Sequence, residues 1–68
     1  MKLTEFSPIH PVRVPGDSSL HSHVSVTKHR LELETAQLGI EVRKDGKTVL
    51  VPWGNVSQAT PVVEAKGK

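Results

Sequence analysis

The residues of this 68-residue chain best suited to chemistry at neutral pH are its four histidines, His10, His21, His23 and His29. On a strand, His21 and His23 would project from one face, where a metal ion could bridge them, with Asp17 or His29 completing a tetrahedral set. The spacing fixes no third ligand, so solvated or capping histidines are the simpler reading. No metal is expected, and His21 and His23 stand only as the residues from which such a site would start. Ser18, Ser19, Ser22 and Ser25 lie near Asp17 and the histidines, yet proximity of types does not make a triad. Neither a nucleophile elbow nor a phosphate-cradling glycine loop is present. The expectation is a protein that is not an enzyme, with no cofactor and no small-molecule substrate.

A second set of residues could act through charge. Lys28, Arg30, Arg43, Lys44 and Lys47 could gather around a hairpin tip and the neighbouring strand end, as a phosphate backbone would require. Glu32, Glu34, Glu41 and Asp45 interrupt them. The net charge is only +2, and Phe6 and Trp53 are the only aromatic residues, whereas single-strand binders offer several stacking platforms. Glu32, Glu34 and Glu41, alternating beside Arg30 and Arg43, read as a solvated sheet face with cross-strand pairing. Trp53 is the most informative single residue: a lone indole either lids a small core, here over Ile40 and Val51, or anchors a partner.

These side chains must be placed by a small scaffold. A chain this short buries only about 60 % of its unfolded surface, so one core is the limit. With 35 % apolar residues and no cysteine, zinc-cysteine and disulfide-stapled classes are excluded. No run approaches the roughly 18 to 20 apolar residues of a membrane span, and Glu5, Arg13 and Asp17 interrupt the segment where a signal peptide would sit. A cytoplasmic protein with no membrane partner is expected.

Pro8, Pro11 and Pro15, with Gly16 and Asp17-Ser18-Ser19, argue against helix or regular central strand over residues 1–22. That stretch reads as an extended arm whose apolar residues Leu3, Phe6, Ile9, Val12 and Val14 follow neither a 3.6 nor a 2.0 period. Residues 23–63 read as the β domain and residues 64–68 as a frayed tail. Val24 and Val26 share one face, as do Leu31 and Leu33, so a turn or bulge falls near Thr27-Lys28-His29. Thr35-Ala36-Gln37 reverses the chain. Leu38, Ile40 and Val42 alternate with polar residues up to Asp45-Gly46, the strongest hairpin signal in the sequence. A two-residue loop there pairs Lys44 with Lys47, Val42 with Val49 and Ile40 with Val51. Thr48 to Val51 is apolar on both faces and is expected to be covered twice, by the arm or by a partner. Val56 to Ala59 reads as a short strand or one helical turn, and Val62-Val63 as a last strand.

Leu33 to Val56, an alternating strand, an Asp-Gly turn and then V-L-V-P-W-G-N-V, resembles small uncharacterised accessory proteins of tailed bacteriophages and, more distantly, sheet hairpins of bacterial pleckstrin-like modules. It covers about a third of the chain, and this chain is too short for a complete pleckstrin-like fold. The resemblance implies a phage-encoded accessory protein without catalytic residues. The fold expected is mainly β, a small antiparallel sheet of three to five strands in a meander or SH3-like barrel, with the N-terminal arm. The function expected is non-enzymatic binding of another protein, a host enzyme to be inhibited or a virion assembly to be decorated, through Phe6, Ile9, Val12 and Trp53. The alternative is a small nucleic-acid-binding β-barrel using the basic residues at the hairpin.

Overall fold

Asp45 and Gly46 hold positive φ angles of 52° and 78°, the pair of left-handed conformations that a two-residue hairpin turn requires. The turn sets the register of the strands around it. In the computed structural model, which describes residues 1–62, β4 (Gly39–Lys44) and β5 (Lys47–Pro52) pair Lys44 with Lys47, Val42 with Val49 and Ile40 with Val51. This is the register that puts Ile40, Val42, Val49 and Val51 on one face.

Before this hairpin lie β1 (Lys2–Pro8), β2 (Val24–Ser25), the single helical turn α1 (Val26–His29) and β3 (Glu32–Thr35); after it come a 3-10 turn (Trp53–Asn55) and β6 (Val56–Pro61). The sheet is antiparallel, in the order β2-β1-β3-β4-β5, and β6 pairs with β1. β1 accepts β6 along one edge; along the other it pairs with Val24 and Ser25 of β2 and with Leu33 and Glu34 of β3. Strands β2 and β3 thus act as one strand from which α1 loops out. Ser25 caps α1, and Arg30 ends it in a left-handed conformation, which turns the chain back so that Leu31 and Leu33 can face inward. The predicted break near Thr27-Lys28-His29 takes this form. The sheet curls into a half-barrel whose connectivity (strand, long loop, three-strand meander, 3-10 turn, returning strand) is compatible with a small β-barrel. Six strands are formed, five when β2 and β3 are counted as the one strand they act as, in keeping with the small antiparallel sheet expected.

The curl encloses Leu3, Phe6, Val14, Val24, Leu31, Leu33, Ile40, Val42 and Val51. Phe6, Leu33, Ile40, Val24, Val42 and Val51 are the largest fully buried side chains. Leu3 and Phe6 are three residues apart and would face opposite sides of a regular strand. The register against β6 shifts between Leu3 and Glu5, so Thr4 is an extra residue that turns both apolar side chains inward. A second shift, between Ser7 and Pro8, leaves Ser57 unpaired on β6, while Pro8, two residues beyond Phe6 on the same face, is also buried.

This corrects the reading of residues 1–22 as an arm separate from the β domain. Residues 2–8 form a strand paired on both edges, and Phe6, expected as a partner contact, is a core residue with 1 % exposure. A proline at the end of a strand, as Pro8 is, leaves the ladder before it intact. Residues 9–23 form a folded loop: Val12 and His21 exchange two backbone hydrogen bonds of 2.9 and 2.7 Å, the Asp17 N–H closes a turn on the Val14 carbonyl, and Val14 enters the core. Nor does the arm cover the second face of β5, as expected, for Thr48 and Leu50 stay exposed on the convex side. Val56 to Ala59 belongs to β6, which runs on to Pro61. Val62 adds no strand, although its N–H donates to the Lys2 carbonyl. Val63 and the tail 64–68 lie outside the described residues.

Two substitutions test this account. A Cβ on Gly39 would run into the Val51 carbonyl and the Pro52 backbone, so Gly39→Ala should destabilise by about 3 kcal/mol or more, read by chemical denaturation. Phe6→Ala should cost about 3 to 5 kcal/mol if Phe6 is core. A loss below about 1 kcal/mol would contradict its burial.

Candidate functional site

The loop over residues 9–23 is fastened mainly through polar side chains. The Asp17 carboxylate accepts from the Ser19 N–H at 2.8 Å through Oδ1, while Oδ2 lies 3.1 Å from His21 Nε2. His21 also meets His29 edge to face, with ring centroids 4.6 Å apart. His23 Nε2 lies 2.6 Å from Glu5 Oε1 on β1. His10 is held through its main chain, its N–H donating to Asn55 Oδ1 while Asn55 Nδ2 donates back to its carbonyl. His21 and His23 are therefore engaged by two different carboxylates rather than converging. Among the described residues no three metal-ligating side chains gather. The Ser19 N–H, and then His21, hold the Asp17 carboxyl below the usual carboxylate range.

The basic residues do come together. Arg30, Arg43, Lys44 and Lys47, with Glu32 and Asp45, line an open cleft of about 660 Å³ between α1 and the β4-β5 hairpin, floored by Val26 and Leu31. Lys28 lies on α1, outside that lining. The cations are not equivalent. Arg43 is paired with Glu41 and, at 3.3 Å, with Glu34, and Glu41 first of all raises its affinity for the proton further. Lys44 Nζ donates to the His29 carbonyl at 3.1 Å, tying the hairpin to α1. Among the described residues Lys28, Arg30, Lys44 and Lys47 form no ion pair with a carboxylate.

The opposite end of β5 is apolar. The Trp53 N–H donates to the Leu38 carbonyl and its indole Nε1 donates to the Ala36 carbonyl at 3.1 Å, which seats the ring on the β3-β4 turn. Trp53 is 40 % exposed and is not a core lid over Ile40 and Val51; Leu38, at 70 %, and Leu50, at 44 %, are the exposed aliphatic residues of this meander. Of the other expected contact residues Ile9 is exposed, whereas Val12 is half-buried against the core in its bridge to His21. Sequence reasoning missed Leu38 as a surface residue. It did single out the second face of β5, to which Leu50 belongs with Thr48, opposite to Val49 and Val51.

No family model matches the chain, and no curated protein or solved structure is significantly similar to it. No helix among the described residues is long and apolar enough to cross a membrane.

The Asp17 contacts set a pH dependence. A carboxyl whose folded pKa is depressed adds stability that is present above its unfolded value of about 3.9 and is lost as the pH falls through the lower folded value. Asp17→Asn, which keeps an acceptor for Ser19 but removes the charge, should melt below the parent protein at pH 6, the difference narrowing as the pH falls below the ordinary carboxylate range and through the lowered folded value. An unchanged difference across that range would show that the charge is immaterial.

Proposed function

We propose that this chain is a non-enzymatic protein-binding module that docks through the apolar end of the β3-β4-β5 meander. One observation supports the reading above the others: Trp53 is held in a fixed orientation by its hydrogen bond to Ala36, yet two-fifths of it remains exposed. An aromatic side chain ordered before binding loses little entropy on docking, and half-exposed indoles of this kind are the residues that dominate interfaces. Leu38, on the turn beneath it, extends the apolar surface. If the resemblance over residues 33–56 reflects origin, the partner is a host enzyme or a virion assembly.

A second reading has its own support. The gathering of Arg30, Arg43, Lys44 and Lys47 around one cleft is the electrostatic footprint that a nucleic-acid backbone uses. Against it, Arg43 is already paired with two glutamates, and Trp53 lies at the other end of β5, away from the cleft.

The two readings separate in one experiment, capture of partners from an expressing cell with and without nuclease. Protein docking predicts a nuclease-resistant partner whose retention falls by about thirtyfold or more with Trp53→Ala, the scale of an interface hot spot. Nuclease-sensitive capture, with affinity falling steeply between about 50 and 200 mM salt, would favour the cleft instead.

A further inference from the structure

Along β5 the hairpin register decides which main-chain groups are free. Lys44 and Lys47 close a two-residue turn and so form a hydrogen-bonded pair, and in an antiparallel ladder such pairs alternate. Lys47, Val49 and Val51 therefore direct their N–H and C=O groups to β4. Thr48 and Leu50 direct theirs outward, and Pro52 contributes only a carbonyl. Among the described residues β5 has no neighbour on that side, and these groups take no other partner. The other free edge, on β6, is broken by the register irregularities opposite β1 and ends in Pro61. β5 runs without a bulge and carries its proline only at its last position. Bulges, prolines and inward charges are what usually blunt such an edge.

The ends of this edge differ in character. Lys47 starts it, with Lys44 opposite and Arg30 across the cleft. At the other end stands Trp53. We propose that the partner contributes an extended, acidic segment that adds as a further antiparallel strand to β5, its carboxylates meeting Lys47, Lys44 and Arg30 and an apolar residue nearer its N-terminus meeting Trp53. The proposal rests on the protein-binding reading and names its chemistry. A strand the length of β5 spans roughly 17 to 20 Å, so about six residues of the partner suffice. Charge selects this occupant over a second copy, because Lys47-Thr48-Val49-Leu50-Val51-Pro52 carries no carboxylate to offer the cations. Nucleic acid cannot supply the alternating donors and acceptors that Thr48 and Leu50 present.

The test uses the full chain and a synthetic peptide of about eight residues, phenylalanine followed by alternating valine and threonine and then two glutamates. Trp53, the single tryptophan, reports binding by fluorescence, and amide exchange reads the edge. The acidic peptide should shift the fluorescence saturably and slow exchange at the Thr48 and Leu50 amides. A peptide with lysines in place of the glutamates should bind about tenfold more weakly or worse. Leu50→Pro removes an outward N–H without touching the ladder to β4, and should abolish the protection. Lys47→Glu should reverse the preference between the two peptides, which decides the matter even where Leu50→Pro fails to fold. Equal binding of both peptides, binding that leaves the Thr48 and Leu50 amides unprotected, or no binding by the acidic peptide would each overturn the proposal. So would a dimer whose edge amides are protected without peptide, since a second copy then occupies β5. A cellular partner lost with Trp53→Ala but retained by a folded Leu50→Pro variant would leave the protein-binding reading standing and remove the added strand.

Discussion

Pairing of β1 on both of its edges is the constraint on which the rest of this small fold depends. A two-stranded hairpin alone is marginal in water, and β4-β5 gains its stability by being continued through β3 to β1 and from there to β6. The extra residue at Thr4 is what makes this compatible with a core. By changing the face of the strand part-way along, it lets Leu3 pack beside Leu33 and Phe6 beside Val24. Without it, one of the two would stand in water. The helical turn α1 performs the matching task on the opposite strand, taking up the chain between β2 and β3 so that both reach the same edge of β1.

The face left outside by this arrangement is more ordered than a merely solvated one. Glu34, Glu41 and Arg43 sit on adjacent strands, and Arg43 joins both carboxylates. Exposed pairs of this kind contribute little to stability. Among the described residues this leaves Arg30, Lys44 and Lys47 as the cleft cations that form no ion pair, so that its positive character lies at the hairpin end. β5 then separates a cationic end from an apolar one, and the two functional readings attach to those two ends.

The legibility of the sequence follows the same physics. From Leu31 to Val51 the alternation is regular, and Asp45-Gly46 leaves little choice of turn, so strand positions, register and inward faces could be read directly. β1 could not be read, because an extra residue in a strand erases the period of two that identifies one, and three prolines close behind it suggested an irregular segment. Leu3 and Phe6 are spaced for a bulge, a pattern no single-period template recognises. The basic cluster was legible because hairpin geometry alone brings Arg43, Lys44 and Lys47 together. For Trp53 the sequence left open a core lid or an exposed anchor, and it could not choose between them because the seating of the ring depends on a hydrogen bond to a carbonyl on another turn. Leu50 differs again: the run Thr48 to Val51 is apolar on both faces, but the period alone does not say whether the second face meets the N-terminal segment or lies on an edge strand open to solvent, as it does within this chain.

The partnership of β1 with β6 also governs how the molecule is made. Phe6 finds Ala59 and Ser7 finds Gln58 only after nearly the whole intervening chain has been synthesised. Closing so long a loop is entropically costly before any contact rewards it, and topologies dominated by distant strand pairing fold slowly for that reason. The hairpin at Asp45-Gly46 can form within microseconds of its own appearance, but it has nothing to curl around until β1 is engaged. During that interval Phe6 and Leu3 are exposed on a nascent chain with an unpaired strand edge, the state in which a small β protein is most vulnerable to association with its neighbours.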